Sequence, residues 1–223
     1  SDEERRIRDK NQNIEQGMWL ISQLPYKSAE KGIDLSNRWR KHNGVFFPPI
    51  NPEGVVGYDP FRYRKEDTAS SHLSNASIIV GKKFDYYKLG EDSPANRYCG
   101  LFLGRPDDPV DAHKEAVKAA LFWGFPVMHE RQVESVKKTF DDENMLPFLM
   151  KEESGRFHGV YTDSGGKTTK NGVDMLVSRF RLPKTPNEAD QIEIFPFEAG
   201  LIDLDNFDMA NTTKFDVFMS MIM

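Results

Sequence analysis

Three carboxylates carry the chemistry that this sequence is equipped to do. Asp59 ends the apolar run Gly54-Val55-Val56-Gly57-Tyr58. Glu130 ends a second run, Phe125-Pro126-Val127-Met128-His129. Asp216 lies just inside the apolar stretch Phe215-Asp216-Val217-Phe218-Met219 near the C-terminus. Two acids at strand ends and one on a late helix can converge on one point. Ionised carboxylates gathered there repel one another, and each pKa rises unless a cation is present. An all-oxygen donor set suits Mg²⁺ or Mn²⁺. A carboxylate cage holding two such ions is a known way to cleave phosphodiesters. The chemistry expected is therefore metal-dependent phosphodiester hydrolysis.

Composition narrows the setting. The 223 residues allow one good-sized domain plus an extension, and no repeat is evident. The single cysteine, Cys99, excludes an intrachain disulfide and a zinc site built on several cysteines, and fits a reducing compartment. No apolar run approaches the length of a membrane span, and the polar first residues do not read as a signal peptide. A net charge of −5 argues against tight, unaided binding to nucleic acid, since phosphate contacts need Lys and Arg. The stretch from Thr185 onward is strongly acidic, with Lys214 as its one basic residue.

The elements that must position the three acids follow from periodicity and punctuation. Residues 1–24 predict a helix stopped by Pro25, and 26–52 a polar connecting arm anchored by Trp39, Val45, Phe46 and Phe47. Together, 1–52 form an N-terminal helical arm and 53–223 the main domain. Strands are predicted at Val55–Tyr58, Ala76–Lys82 and Tyr98–Leu103, as an antiparallel meander. A helix over Pro109–Gly124, a strand ending at Glu130, a helix over Val133–Phe140 and a strand over Leu146–Met150 follow. Gly155–Gly172 reads as a long polar loop, Val173–Arg181 as a helix and Pro183–Ala189 as a loop. Ile192–Phe195 reads as a short strand, and Phe197–Phe207 and Asn211–Met223 as the last helices. Three antiparallel strands followed by alternating helices and parallel strands is the order of a ribonuclease H-like α/β fold: a mixed sheet flanked by helices. In that order Asp59 lies on the central first strand and Glu130 on the strand beside it, at the ends where open α/β sheets place their sites.

On these residues a family resemblance can be stated. Gly57-Tyr58-Asp59-Pro60-Phe61, with a later strand ending in Lys83-Phe84-Asp85, resembles the start of the nuclease domain of phage large terminases, in particular those of crAss-like phages and their relatives infecting Bacteroidetes. Ala119-Ala120-Leu121-Phe122-Trp123-Gly124-Phe125-Pro126-Val127-Met128-His129-Glu130 resembles their segment with the second acid, and Asn211-Thr212-Thr213-Lys214-Phe215-Asp216 the segment with the third. The similarity runs from about Val55 to the end. It implies an endonuclease that cuts concatemeric double-stranded DNA during viral genome packaging in the host cytoplasm. The implied partners are an ATPase motor domain, a portal protein and a small terminase subunit. Two Mg²⁺ or Mn²⁺ ions are implied, with Asp59 bridging both, Glu130 holding one and Asp216 the other. No Gly-x-x-x-x-Gly-Lys-Thr/Ser loop is present; Gly165-Gly166-Lys167-Thr168 lacks the first glycine. The resemblance is thus to the nuclease part alone.

Other residues are candidates of lower rank. Asp67 and Asp163 are possible extra ligands or simply solvated loop acids. Lys167, Lys170, Arg179 and Arg181 offer phosphate contacts from the loop side. His129 would point away from Glu130 if both lie in one strand, and His72, His113 and His158 have no metal-ligand spacing. Phe122-Trp123 reads as core before it reads as a base-stacking platform. Two further classes fit the same acids: a resolvase of branched DNA, and a non-catalytic portal-docking module that keeps the fold.

Overall fold

The computed structural model describes residues 17–22, 40–42, 44–47, 50, 53–61, 75–83, 97–162, 166–180, 195–208 and 215–222. Its strands are β1 (Met18–Ile21), β2 (Arg40–His42), β3 (Val45–Phe47), β4 (Gly54–Asp59), β5 (Ala76–Lys82), β6 (Tyr98–Gly104) and β7 (Val127–His129). Its α-helices are α1 (Pro109–Trp123), α2 (Glu134–Asp142), α3 (Lys167–Phe180), α4 (Glu198–Asn206) and α5 (Asp216–Ile222). A five-stranded mixed sheet runs β1-β6-β5-β4-β7, antiparallel throughout except for the β4–β7 pair. β2 and β3 form a separate hairpin turning at Gly44. Among the described residues no helix is long and apolar enough to cross a membrane.

The β-branched run Ile78-Ile79-Val80 packs both faces of β5. One layer holds Val56, Tyr58, Ile78 and Val80 against the small-residue face of α1, Ala112, Ala116, Ala119 and Ala120, and against Val136 and Phe140 of α2. The other holds Ile79 and Leu101 against Leu176 of α3 and a set of rings, Phe195, Phe197, Phe215 and Phe218. Helix α1 starts on an Asp108 cap, which accepts from the Val110 N–H at 2.9 Å. It stops at Gly124, whose φ of 71° is the left-handed conformation that glycine takes without strain. That crossover returns the chain to lay β7 beside β4.

Several elements differ from the expectations. The helix predicted over 1–24 is contradicted at Met18–Ile21, which is a strand paired with Leu103–Gly100 of β6 in the main sheet. An open sheet edge with unpaired backbone groups, and Trp19 packed 5.6 Å from both Phe102 and Trp123, outweigh a loose helical stripe. Residues 1–16 lie outside the described residues. The arm expected over 26–52 contains the β2–β3 hairpin, and Trp39 lies outside the description. The strand expected at Leu146–Met150 is instead a 3₁₀ turn over Leu146–Phe148, because Pro147 has no N–H to give to a ladder. Only Leu149 bridges to Val127, in parallel. Helix α3 begins at Lys167, six residues earlier than Val173. Its Thr169 and Leu176 face inward at helical spacing, a pattern that the polar composition obscured. Phe195 is not in a strand; the rest of 192–195, the 183–189 loop and 211–214 lie outside the described residues.

Helix α5 sits on the sheet without an intervening side chain. A Cβ placed on Gly57 would come 2.0 Å from the Ser220 carbonyl oxygen. Gly57→Ala should therefore lift α5 off β4 and destabilise the fold by about 1–3 kcal/mol or more. Thermal melting checks this; an unchanged Tm would mean that α5 does not bear on the strand.

Candidate active site

Strand pairing brings the first two acids together. β4 and β7 are parallel with Tyr58 opposite His129, and the Glu130 N–H continues the ladder to the Tyr58 carbonyl at 3.4 Å. Side chains alternate along strands, so Asp59 and Glu130 share one face and Tyr58 and His129 the other. The buried side agrees: Tyr58 Oη lies 2.6 Å from His113 Nδ1 on α1, and His113 Nε2 lies 2.8 Å from Ser135 Oγ on α2.

Helix α5 supplies the third acid to the Asp59 face. Ser77 of β5, opposite Asp59, hydrogen-bonds through its Oγ to Ser220 Oγ at 2.9 Å. Asp216 is one helical turn before Ser220 and therefore on the same flank. The Asn75 N–H, just ahead of β5, donates to Asp216 Oδ2 at 2.8 Å. All three acids are half-buried.

The Asp59 carboxyl is pushed well above the usual carboxylate range. Burial is the largest cause, and the charges of Glu130 and Asp216 add to it. Its side chain keeps some solvent contact, yet the surrounding density of protein makes desolvation dominant. Among the described residues nothing donates a hydrogen bond to it.

Two supporting residues were not read from the sequence. Thr162 donates from Oγ1 to Glu130 Oε1 at 2.7 Å, and the Gln132 amide group also contacts it. Its neighbour Val160 bridges in parallel to Glu130, so a segment taken for plain loop fixes the second acid. Asp203 of α4 accepts from the Val217 and Phe218 N–H groups at 2.9 and 3.2 Å, capping α5 from outside it. Burial pushes its carboxyl up to about 6; those two backbone donors oppose the rise, and the Asp216 charge adds to it. No spacing rule finds a cap held more than a dozen residues away in sequence.

The remaining candidates divide clearly. His129 is buried and His113 fully so; burial is the main cause holding each at about 4, hence neutral. His158 sits 3.1 Å through Nδ1 from the Leu149 carbonyl oxygen. Trp123 is core, with Phe122 edge-on to it at 4.7 Å. Lys167 and Lys170 are exposed on the first turn of α3, which also carries Arg179. Asp67, Asp163, His72 and Arg181 lie outside the described residues.

By donor type the acids suit Mg²⁺ or Mn²⁺. Among the described residues no group of three or more His, Cys, Asp or Glu side chains is gathered tightly enough to hold a metal ion as it stands. Mutual repulsion of ionised carboxylates opposes their closer approach. Searches against protein-family models, curated proteins and solved structures each found no match for this chain.

A carboxyl raised on folding costs stability as it ionises. The cost is absent below the unfolded value near 4, grows as pH climbs toward the folded value and is constant above it. Asp59→Asn should thus raise Tm at neutral pH in EDTA, with the gap closing toward pH 4. Mg²⁺ or Mn²⁺ should raise the wild-type Tm more than that of the variant. Coincident melting profiles at every pH would show that ionising Asp59 costs the fold nothing.

Proposed function

We propose that this chain is a Mg²⁺- or Mn²⁺-dependent endodeoxyribonuclease of the ribonuclease H-like type, acting as the nuclease domain of a phage large terminase. The observation that carries the reading is the placement of Asp59, Glu130 and Asp216 on one face at one end of the β4–β7 pair. The sheet order agrees with it: an antiparallel meander, then a helical crossover to a strand parallel to the first. The terminase assignment rests on the motif resemblance and carries with it the ATPase domain, portal and small subunit as partners, in the host cytoplasm.

Asp59, Glu130 and Asp216 would hold the ions, which when bound activate a water and stabilise the leaving oxygen. The chain's own work is positioning. Thr162 holds the Glu130 carboxylate, and the Asn75 N–H holds that of Asp216. Strand pairing fixes Asp59 beside Glu130, and the close seat of α5 on Gly57 fixes the third acid. Asp59 is central, since both other acids act on it.

Supercoiled plasmid should be cut with Mn²⁺ or Mg²⁺ and left intact in EDTA. Asp59→Asn should lower cutting at least about a hundredfold while folding survives, because changing even a residue that merely supports a metal ligand costs 10–100-fold. Glu130→Gln and Asp216→Asn should cost less. Cutting in EDTA, or near-normal cutting by a folded Asp59→Asn, would defeat the reading; preference for a four-way junction over plasmid would favour a resolvase.

Duplex binding by the isolated chain should be poor at physiological salt, because a chain of net charge −5 releases few counterions. Fusion to the ATPase domain should strengthen both binding and cutting by raising the local DNA concentration. Tight, salt-resistant duplex binding in a titration would contradict this and again point to a resolvase.

A further inference from the structure

An open groove of ≈ 780 Å³ runs along the exit of β7, between α2 and the segment 156–161. His129, Arg131 and Gln132, which flank Glu130 in the chain, line it, so it lies at the end of the acid-bearing strand, on the side of the sheet that His129 faces. Its charge differs from that of the whole chain. Arg131, Lys137, Lys138 and Arg156 face it against two carboxylates, Glu134 and Asp141, while the chain carries −5. Arg131 is paired with Glu152 at 2.9 Å. The other three cations have no ion-pair partner among the described residues.

The groove also presents aromatic faces. Phe157 and Tyr161 line it and are 53% and 52% exposed, unusual for large rings where the other rings among the described residues are mostly buried. The Arg131 guanidinium lies 4.6 Å from the Phe157 ring centroid and 5.8 Å from that of Tyr161. That cation braces both rings from one side. Phe157 also has its backbone held, its carbonyl accepting from the Glu152 N–H at 3.0 Å. Exposed rings kept in place beside unneutralised cations match one ligand chemistry closely. Bases stack on the rings and phosphates follow the cations, as in sites for single-stranded nucleic acid. In a duplex the base faces are already stacked on each other, so the rings gain nothing from it.

We propose that this groove binds single-stranded DNA, with bases on Phe157 and Tyr161 and phosphates on Lys137, Lys138 and Arg156. It takes the unpaired strand of a frayed or cleaved end leading to the acids, and in that role it rests on the nuclease reading. Gln132 ties the two regions, contacting Thr162, which holds Glu130.

Fluorescence anisotropy in EDTA separates this from cleavage. The probe is a labelled oligothymidylate of about a dozen nucleotides, within the span of single-strand sites, beside a duplex of the same length. The full chain should bind the single strand more tightly than the duplex. Phe157→Ala with Tyr161→Ala should weaken single-strand binding about tenfold or more and leave duplex binding unchanged. Phe157→Leu with Tyr161→Leu, which keeps apolar bulk without a ring face, should behave like the alanine pair, with melting curves showing intact folds. Lys137→Glu with Lys138→Glu should weaken binding and flatten its salt dependence. Single-strand affinity unmoved by the aromatic changes, or a preference for duplex, would overturn the proposal. Those results with metal-dependent cutting intact would leave the nuclease reading standing, whereas groove binding without any cutting would support the groove and remove the nuclease.

Discussion

The seat of α5 on the β4 backbone is the constraint on which the site depends. With glycine at 57, the helix carbonyl at Ser220 approaches as no larger residue would allow. The Ser77–Ser220 hydrogen bond then fixes where along the sheet the helix rests. One turn away, that placement leaves Asp216 near Asp59. The arrangement gathers like charges, which resist it. The opposing force is packing: Phe215, Val217 and Phe218 are buried among Ile79, Leu101, Phe195 and Phe197, and full burial of such a side chain contributes about 1.5–3 kcal/mol. Repulsion between partly hydrated carboxylates is smaller than several such terms together, so the packing sets the geometry and the carboxyl pKa yields.

The second acid is set by register. A slip of one residue in β7 would turn Glu130 to the helix face and His129 to the acid face. The hydrophobic pattern forbids it, since Val127 is fully buried and His129 nearly so. Beneath them the Tyr58–His113–Ser135 chain pins the neighbouring strand to α1 and α2. Burial keeps His113 neutral, so one ring nitrogen donates while the other accepts and the chain carries no charge into the core. The inert face of the sheet is thereby locked, and the acidic face inherits its positions.

Much of this was legible in the sequence where pattern and punctuation agree. The runs ending at Asp59 and Glu130, the β5 run and the helix between Asp108 and Gly124 each carry local signals that match their tertiary use. The order of elements then places two of the acids side by side. Legibility failed where distant contacts decide. Met18–Ile21 became a strand because an edge of β6 was open to it. Lys167–Lys170 became helical although their composition is that of a loop, since Thr169 and Leu176 pack inward. Thr162 and Asp203 act only through partners far along the chain, so no local spacing announces them. The grouping of exposed rings around Arg131 is likewise a product of folding, as Phe157 and Tyr161 meet it across some thirty residues.

On the nuclease reading, charge distribution resolves an apparent conflict. Three carboxylates on one face repel phosphate, and the net charge of −5 discourages DNA over most of the surface. Exposed charges act over only about one Debye length, roughly 8–10 Å in physiological salt. A compact set of cations can therefore attract a strand locally without making the whole chain adhesive. Its position matters more than its number: the groove is lined by His129, Arg131 and Gln132, which flank Glu130 in the chain. A strand seated there would reach the acids from one side only, its phosphates held before they meet the repulsive face. Weak general affinity and a directed local path are then consequences of one charge pattern. An enzyme delivered to its DNA by other means has little use for stronger grip elsewhere.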